Sequence, residues 1–91
     1  KAGMHGFTIS LAQENARFGI TVNTVSPGYI ATDMVMAVPE EVRAKIVVNI
    51  PTGRLGTPEE IAYAVSFFMP DEAAWITGAN LSVNGGHYMG W

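Results

Sequence analysis

The sequence predicts an α/β fold with a parallel sheet. Two short runs have the composition of strands, and three segments with helical periodicity surround them. Roughly fifty residues separate the two strand-like runs. A connection of that length is typical of a crossover between parallel strands, because antiparallel neighbours need only a short hairpin.

The first predicted helix covers residues 1–18, and Gly19 follows it as a stop that favours left-handed backbone. Apolar side chains recur at helical spacing: Met4, Phe7 and Leu11. A second stripe contains only small residues: Gly3, Gly6 and Ser10. Each helical glycine costs about 1 kcal/mol relative to alanine, so the stripe predicts close approach by another helix. The alternative is that both glycines are neutral surface residues.

Residues 20–26 are rich in β-branched side chains and carry no charge, which predicts a buried parallel strand. Pro27 lacks a backbone N–H, so we expect strand pairing to end there. Residues 79–86 form the last predicted strand, in which apolar and polar residues alternate before two glycines. Asn23 lies on the first strand, where a structural role is expected.

Two further helices are predicted, over residues 39–50 and 57–70. In the second, Thr57 and Glu60 have the spacing of a capping box, and Pro58 occupies the first helical position. Its apolar face is predicted to contain four side chains: Ile61, Val65, Phe68 and Met69. A two-stranded parallel sheet is not a stable unit, so the sequence also predicts further strands, either upstream on the same polypeptide or from another chain.

Composition argues against several classes of function. Net charge is −3 and the basic residues are scattered, which argues against nucleic-acid binding. No apolar run approaches the roughly 20 residues that span a bilayer, so no membrane partner is predicted. Cysteine is absent, which excludes thiolate sites and suits a reducing, cytoplasmic location. His5 and His87 are far apart without further ligand spacing, so no metal site is predicted.

The turn after the first strand is a candidate ligand site. In open parallel sheets, ligands bind beyond the carboxyl ends of strands, where residues 28–33 are predicted to lie. Gly28 permits close backbone approach, Tyr29 offers a ring and a hydroxyl, and Thr32 offers a second hydroxyl. The alternative is an ordinary strand-to-helix turn in which Thr32 or Asp33 caps the next helix.

Four segments in register resemble the short-chain dehydrogenases/reductases. NTVSPGYIATDM at residues 23–34 resembles the family's N-x-V-x-P-G-x-x-x-T segment. RLGTPEEIA at 54–62 and ITGANLSVNGG at 76–86 are similar to its penultimate helix and last strand. Residues 1–23 resemble the helix that begins with the lysine of Tyr-x-x-x-Lys. The resemblance implies that residues 1–91 are the C-terminal part of a single doubly wound, Rossmann-like domain, whose N-terminal dinucleotide-binding half and catalytic tyrosine lie outside this chain.

Within that family, VSPGYIATDM and NGGHYMG are similar to the acetoacetyl-CoA reductases of polyhydroxybutyrate synthesis. The resemblance implies NADPH-dependent reduction of acetoacetyl-CoA to 3-hydroxybutyryl-CoA by the full-length protein, with NADH left open as cofactor. It also implies an acyl-thioester substrate on coenzyme A or acyl-carrier protein, a homotetramer and a cytoplasmic location. Two alternatives are a β-ketoacyl-acyl-carrier-protein reductase and a non-catalytic, truncated assembly module.

The same resemblance assigns roles to individual residues. Lys1 matches the lysine that binds the nicotinamide ribose and lowers the pKa of the catalytic tyrosine, so it is expected to be both catalytic and cofactor-binding. The residues that match the nicotinamide-contacting turn are Pro27, Gly28, Ile30 and Thr32. Gly28 and Tyr29 match the substrate side, and the apolar stretch 34–38 either packs or lines a mobile lid over the acyl chain.

Overall fold

The structure, a computed structural model, describes residues 2–88 of the chain. It confirms the predicted α/β class. Its helices and strands are α1 (Ala2–Asn15), β1 (Thr24–Pro27), α2 (Asp33–Met36), α3 (Glu40–Val48), α4 (Pro58–Ser66) and β2 (Asn80–Val83). Short 3₁₀ turns cover Ala16–Phe18 and Asp71–Ala73.

The two strands pair in parallel, with Thr24 opposite Asn80 and Pro27 opposite Val83. Strand β1 ends at Pro27 as predicted, and one further bond follows it, since the Gly28 N–H donates to the Val83 carbonyl at 2.9 Å. At the other end, the Thr24 N–H donates to the carbonyl of Ala79, the residue before β2. Backbone N–H groups alternate sides along a strand, so the Pro27 nitrogen lies on the other edge of β1 and its missing hydrogen leaves this ladder intact.

Both strands are shorter than predicted, and side chains hold the chain where the ladder stops. Asn23 Nδ2 donates to the Ile76 carbonyl at 3.0 Å, and Asn23 Oδ1 accepts from Ala79 N–H at 3.0 Å. Thr77 Oγ1 accepts from the Val22 N–H at 3.0 Å. Asn23 therefore fixes the entry to both strands, which is the structural role expected for it.

Helix α1 contacts the sheet through Thr8, and nothing within residues 2–88 beyond the helix's own backbone lies within 4 Å of a Cβ built at Gly3 or Gly6 of its small-residue stripe. Thr8 and Ala12 are buried, and the Thr8 hydroxyl lies 2.7 Å from that of Thr24 on β1. Met4 and Phe7 are each 62% exposed. Helical periodicity thus predicted the helix correctly, and of its apolar stripe Leu11 is half-buried while Met4 and Phe7 are exposed.

Helix α4 begins as predicted and ends earlier. The capping box is complete, since Glu60 N–H donates to Thr57 Oγ1 at 3.1 Å and Thr57 N–H donates to Glu60 Oε1 at 3.0 Å. Ala64 is the buried residue of this helix, whereas Val65 and Met69 of the predicted face are exposed. An apolar groove of about 530 Å³ runs between α4 and β2. Its lining includes Tyr63, Ala64, Phe67, Leu81 and Val83.

The core of the described residues is thin. Its buried apolar side chains are Ala12, Ile50, Ala64 and Ala73. Trp75, by contrast, is 98% exposed. Within residues 2–88, no helix combines the length and apolar character needed to cross a bilayer.

Candidate functional site

The segments that follow the two strands lie side by side, because the carboxyl ends of parallel strands meet at one edge of the sheet. We define the carboxyl-edge site as residues 28–33, 54–56 and 84–88. The first segment follows β1 and the third follows β2. The predicted ligand turn therefore lies where the sequence placed it.

Gly28 has a reason within the chain for being glycine. A Cβ atom built at Gly28 would lie 2.8 Å from Asn84 Cβ and 2.9 Å from Asn84 Cα. Real Cβ atoms do not approach other carbon atoms so closely, so glycine permits the contact between the turns after β1 and β2. Close approach of a ligand to Gly28 stays a prediction.

Residues 54–56 form a third wall that the sequence analysis missed. Ile30 and Gly56 make an isolated parallel bridge. In it, Gly56 N–H donates to the Tyr29 carbonyl at 3.0 Å, and Ala31 N–H donates to the Gly56 carbonyl at 2.8 Å. The pairing joins residues about 25 positions apart, and a single glycine between a leucine and a threonine gives no local sign of it.

Thr32 caps α2, as the alternative interpretation of this turn proposed. Its Oγ1 accepts from Val35 N–H at 3.3 Å, and its carbonyl accepts from Met36 N–H at 2.9 Å. The hydroxyl proton is not used in this bond, since the oxygen is the acceptor, and Thr32 is exposed. The structure thus shows the capping role and leaves the hydroxyl with a donor for a ligand.

An aromatic pair forms the side of the site nearest β2. The Tyr29 and His87 rings stack with centroids 5.8 Å apart and an interplanar angle of 23°. Next to Tyr29 lies a cavity of about 230 Å³. Its lining includes Ile30, Thr52, Arg54, Val83 and Asn84.

The charged wall of this cavity is an internal ion pair. Arg54 Nη1 and Nη2 donate to Glu60 Oε1 and Oε2 at 2.7 and 2.8 Å. The hydrogen bonds from Arg54, together with that from Thr57 N–H, lower the pKa of Glu60 to about 2. The same carboxylate raises the pKa of Arg54. Arg54 is therefore held by Glu60 in an exposed ion pair at the border of the cavity.

Two buried nitrogen atoms in the site lack hydrogen-bond partners: Asn84 Nδ2 and His87 Nδ1. The Asn84 amide orientation is set because its Oδ1 accepts from Gly86 N–H at 3.0 Å. Within residues 2–88, no group of three or more acidic or histidine side chains is placed to hold a metal ion. Lys1, the predicted catalytic residue, lies outside the described residues.

Comparison with known proteins identifies the family to which this chain belongs. The sequence profile of the family described as enoyl-(acyl carrier protein) reductase matches residues 1–88. The chain belongs to the short-chain dehydrogenase/reductase family. The doubly wound Rossmann-like class expected from the resemblance is consistent with the crossover between β1 and β2, and the carboxyl-edge site lies at the edge where such folds bind ligands.

Individual members of the family are similar over nearly the whole chain. The acetoacetyl-CoA reductase of Cupriavidus necator is 59% identical over 90 residues, which are 99% of this chain and 37% of that protein. The acetoacetyl-CoA reductase of Allochromatium vinosum is 55% identical over 98% of this chain and 36% of its own length. The 3-oxoacyl-(acyl-carrier-protein) reductase of Escherichia coli is 57% identical over the same shares. The chain thus spans just over a third of the length of the relatives it matches.

Proposed function

We propose that residues 1–91 are the C-terminal part of a 3-ketoacyl-thioester reductase, and that the intact polypeptide reduces acetoacetyl-CoA to 3-hydroxybutyryl-CoA with NADPH. The observation that carries the proposal is the carboxyl-edge site, in which a glycine turn, an exposed hydroxyl and an aromatic ring converge at the ends of β1 and β2. The names of the similar proteins favour a thioester substrate, on coenzyme A or on acyl-carrier protein.

The turn after β1 has groups suited to hold the nicotinamide end of a cofactor, which would supply the hydride. Thr32 offers its hydroxyl proton, and Ile30 N–H makes no hydrogen bond to another group in residues 2–88. Pro27 and Gly28 are proposed to set the backbone path of the turn that presents these two groups. Lys1 is proposed to bind the nicotinamide ribose and to lower the pKa of the catalytic tyrosine. NADPH is proposed over NADH from the similarity to acetoacetyl-CoA reductases, and the choice is assigned to residues of the dinucleotide-binding half.

Gly28 and Tyr29 are proposed to face the acyl thioester. The Tyr29 ring borders the cavity of about 230 Å³. Two glycines, Gly56 and Gly85, also line this cavity and present only backbone atoms to it. The side of the cavity formed by the Tyr29 ring and bare backbone offers contact area to a small ketoacyl group, and the Arg54–Glu60 ion pair lines the same cavity. Residues 34–38 are proposed as the lid over that group.

The test is an assay of the intact polypeptide that contains these residues. We expect oxidation of NADPH in the presence of acetoacetyl-CoA, with slower oxidation of NADH. Crotonyl-CoA serves as the control for the enoyl reductase activity named in the family description. If no 3-ketoacyl thioester supports NADPH oxidation, the proposal is wrong.

A β-ketoacyl-acyl-carrier-protein reductase is the second candidate, because a protein with that name is as similar as the acetoacetyl-CoA reductases. The two candidates differ in the carrier of the substrate. Comparison of kcat/KM for acetoacetyl-CoA and for acetoacetyl-acyl-carrier protein decides between them. Preference for the coenzyme A thioester supports the first candidate.

Assembly is proposed as a homotetramer in the cytoplasm. The exposed apolar groove between α4 and β2 favours association, and the absence of cysteine suits a reducing compartment. The same groove favours the third candidate, a non-catalytic assembly module. Sedimentation of the isolated 91-residue chain tests the need for partners: we expect self-association or incomplete folding, and a cooperatively folded monomer would contradict it.

A further inference from the structure

We propose that His87 is a positioning residue that holds the Tyr29 ring against the acyl thioester. This inference rests on the proposed function, which places Tyr29 on the substrate side. It adds a residue from the turn after β2 to a wall that the sequence assigned only to the turn after β1.

The backbone around His87 is tightly fixed. Gly85 and Gly86 both have left-handed backbone, with φ of 61° and 91°. His87 N–H donates to the Asn84 carbonyl at 3.1 Å, and Gly86 N–H donates to Asn84 Oδ1 at 3.0 Å. Asn84 in turn packs against Gly28. The turn therefore sets the position of the His87 backbone relative to the residue after Gly28, which is Tyr29, and the imidazole lies within stacking distance of the Tyr29 ring.

The Tyr29 side chain needs such support. Its backbone is held by the bond from Gly56 N–H, but its ring can still rotate about two side-chain bonds. Within residues 2–88, the aromatic ring stacked on it is His87, at 5.8 Å and 23°. An offset stack of this kind restricts the ring and leaves its other face available to a substrate.

The chemistry of the imidazole is unusual for a packing residue. His87 Nδ1 is buried and has no hydrogen-bond partner, which carries a desolvation cost that an apolar ring would avoid. Within residues 2–88, the stack of the imidazole on the Tyr29 ring is the contact that offsets this desolvation cost. A phenylalanine at this position would keep the stack and remove the unpartnered nitrogen, so it is the matched control.

The experiment uses the intact polypeptide with four variants: H87A, H87F, Y29A and the double variant Y29A/H87A. We expect H87A to raise the KM for acetoacetyl-CoA by roughly two- to tenfold, the range of one lost aromatic contact. The KM for NADPH should stay unchanged, and H87F should lie within about twofold of the wild type. In the Y29A background, H87A should add nothing further.

Three results would overturn the inference: an unchanged KM for acetoacetyl-CoA in H87A, equal defects in H87A and H87F, or effects of Y29A and H87A that multiply. Thermal unfolding identifies a variant that fails to fold, and H87L with Y29A/H87L then completes the cycle, since leucine keeps bulk but has no ring to stack. Tyrosine ring resonances in NMR give a readout apart from activity, since loss of the imidazole should shift those of Tyr29. A wild type with no thioester turnover removes the proposed function itself, whether or not the rings touch.

Discussion

At the scale of single residues, glycines in the carboxyl-edge site are explained by contacts between distant segments. Gly28 lies against Asn84, which is 56 residues further along the sequence. The sequence predicted that Gly28 permits close approach, because proline and glycine after a strand indicate a turn. It did not show what approaches, since that depends on the register of β1 with β2.

Gly28→Ala is therefore expected to destabilise the intact protein by about 1–3 kcal/mol, the usual cost of forcing an added methyl group into packed surroundings. The atoms it would meet include a backbone Cα, which cannot move aside without shifting the turn after β2. Urea unfolding measures the change. An unaltered unfolding midpoint would show that the two turns are not in contact.

Glu60 makes the stability of α4 depend on pH. Its pKa in the folded protein is lowered to about 2 by Arg54 and Thr57, so folding favours the ionised form. Stability from this group is present above its ordinary pKa of 4.5 and is lost as the pH falls towards about 2. Glu60→Gln keeps an oxygen for the Thr57 cap but removes the charge.

We expect the difference in unfolding midpoint between wild type and Glu60→Gln to be present at neutral pH and to shrink between pH 4.5 and about 2. High salt should also reduce it, because the pair is exposed. Glu59→Gln, an exposed neighbour, is the control. A difference that does not vary with pH would contradict the role of the ion pair.

At the scale of helices and strands, local signals predicted the elements better than their contacts. The capping box at Thr57 and Glu60 gave the start of α4 correctly, because its hydrogen bonds join residues three apart. The apolar stripe of α1 predicted the helix, which covers Ala2–Asn15, but two of its three residues are exposed within residues 2–88. The short helix α2 was foreseen only as a possible consequence of a cap at Thr32, since four residues give no periodicity.

Segment 34–38, the proposed lid, is tied to α3 by one side chain. Arg43 Nη1 donates to the Met36 carbonyl at 2.7 Å and to the Val38 carbonyl at 2.6 Å. Helix α2 is a single turn and has no buried residue. The guanidinium therefore holds a segment that its own helix cannot stabilise.

Arg43→Met is expected to speed amide exchange in segment 34–38 by about three- to tenfold, as charge-assisted bonds are lost. The kcat/KM for acetoacetyl-CoA should fall with it. Lys45→Met, which removes a cation from the same helix, is the control and should leave exchange in this segment unchanged. Equal exchange in wild type and Arg43→Met would show that the lid is held by other contacts.

At the scale of the whole molecule, the described residues are more extended than a compact domain of the same length. Its radius of gyration is 15.6 Å. A compact domain of the same length has a radius of about 12 Å. The sequence predicted the need for more strands from the two-stranded sheet, and the exposed face of α1 agrees with it. The sequence alone does not identify what would cover these surfaces.

The central claim is that the turn after β1 forms the cofactor-facing wall of a reductase site. Hydrogen–deuterium exchange of the intact polypeptide, with and without saturating NADPH whose binding is verified by calorimetry, tests it most directly. We predict slower exchange of backbone amides in residues 28–36 when NADPH binds, with no change in the Asp71–Ala73 turn. Bound NADPH with unchanged exchange in residues 28–36 would contradict the claim.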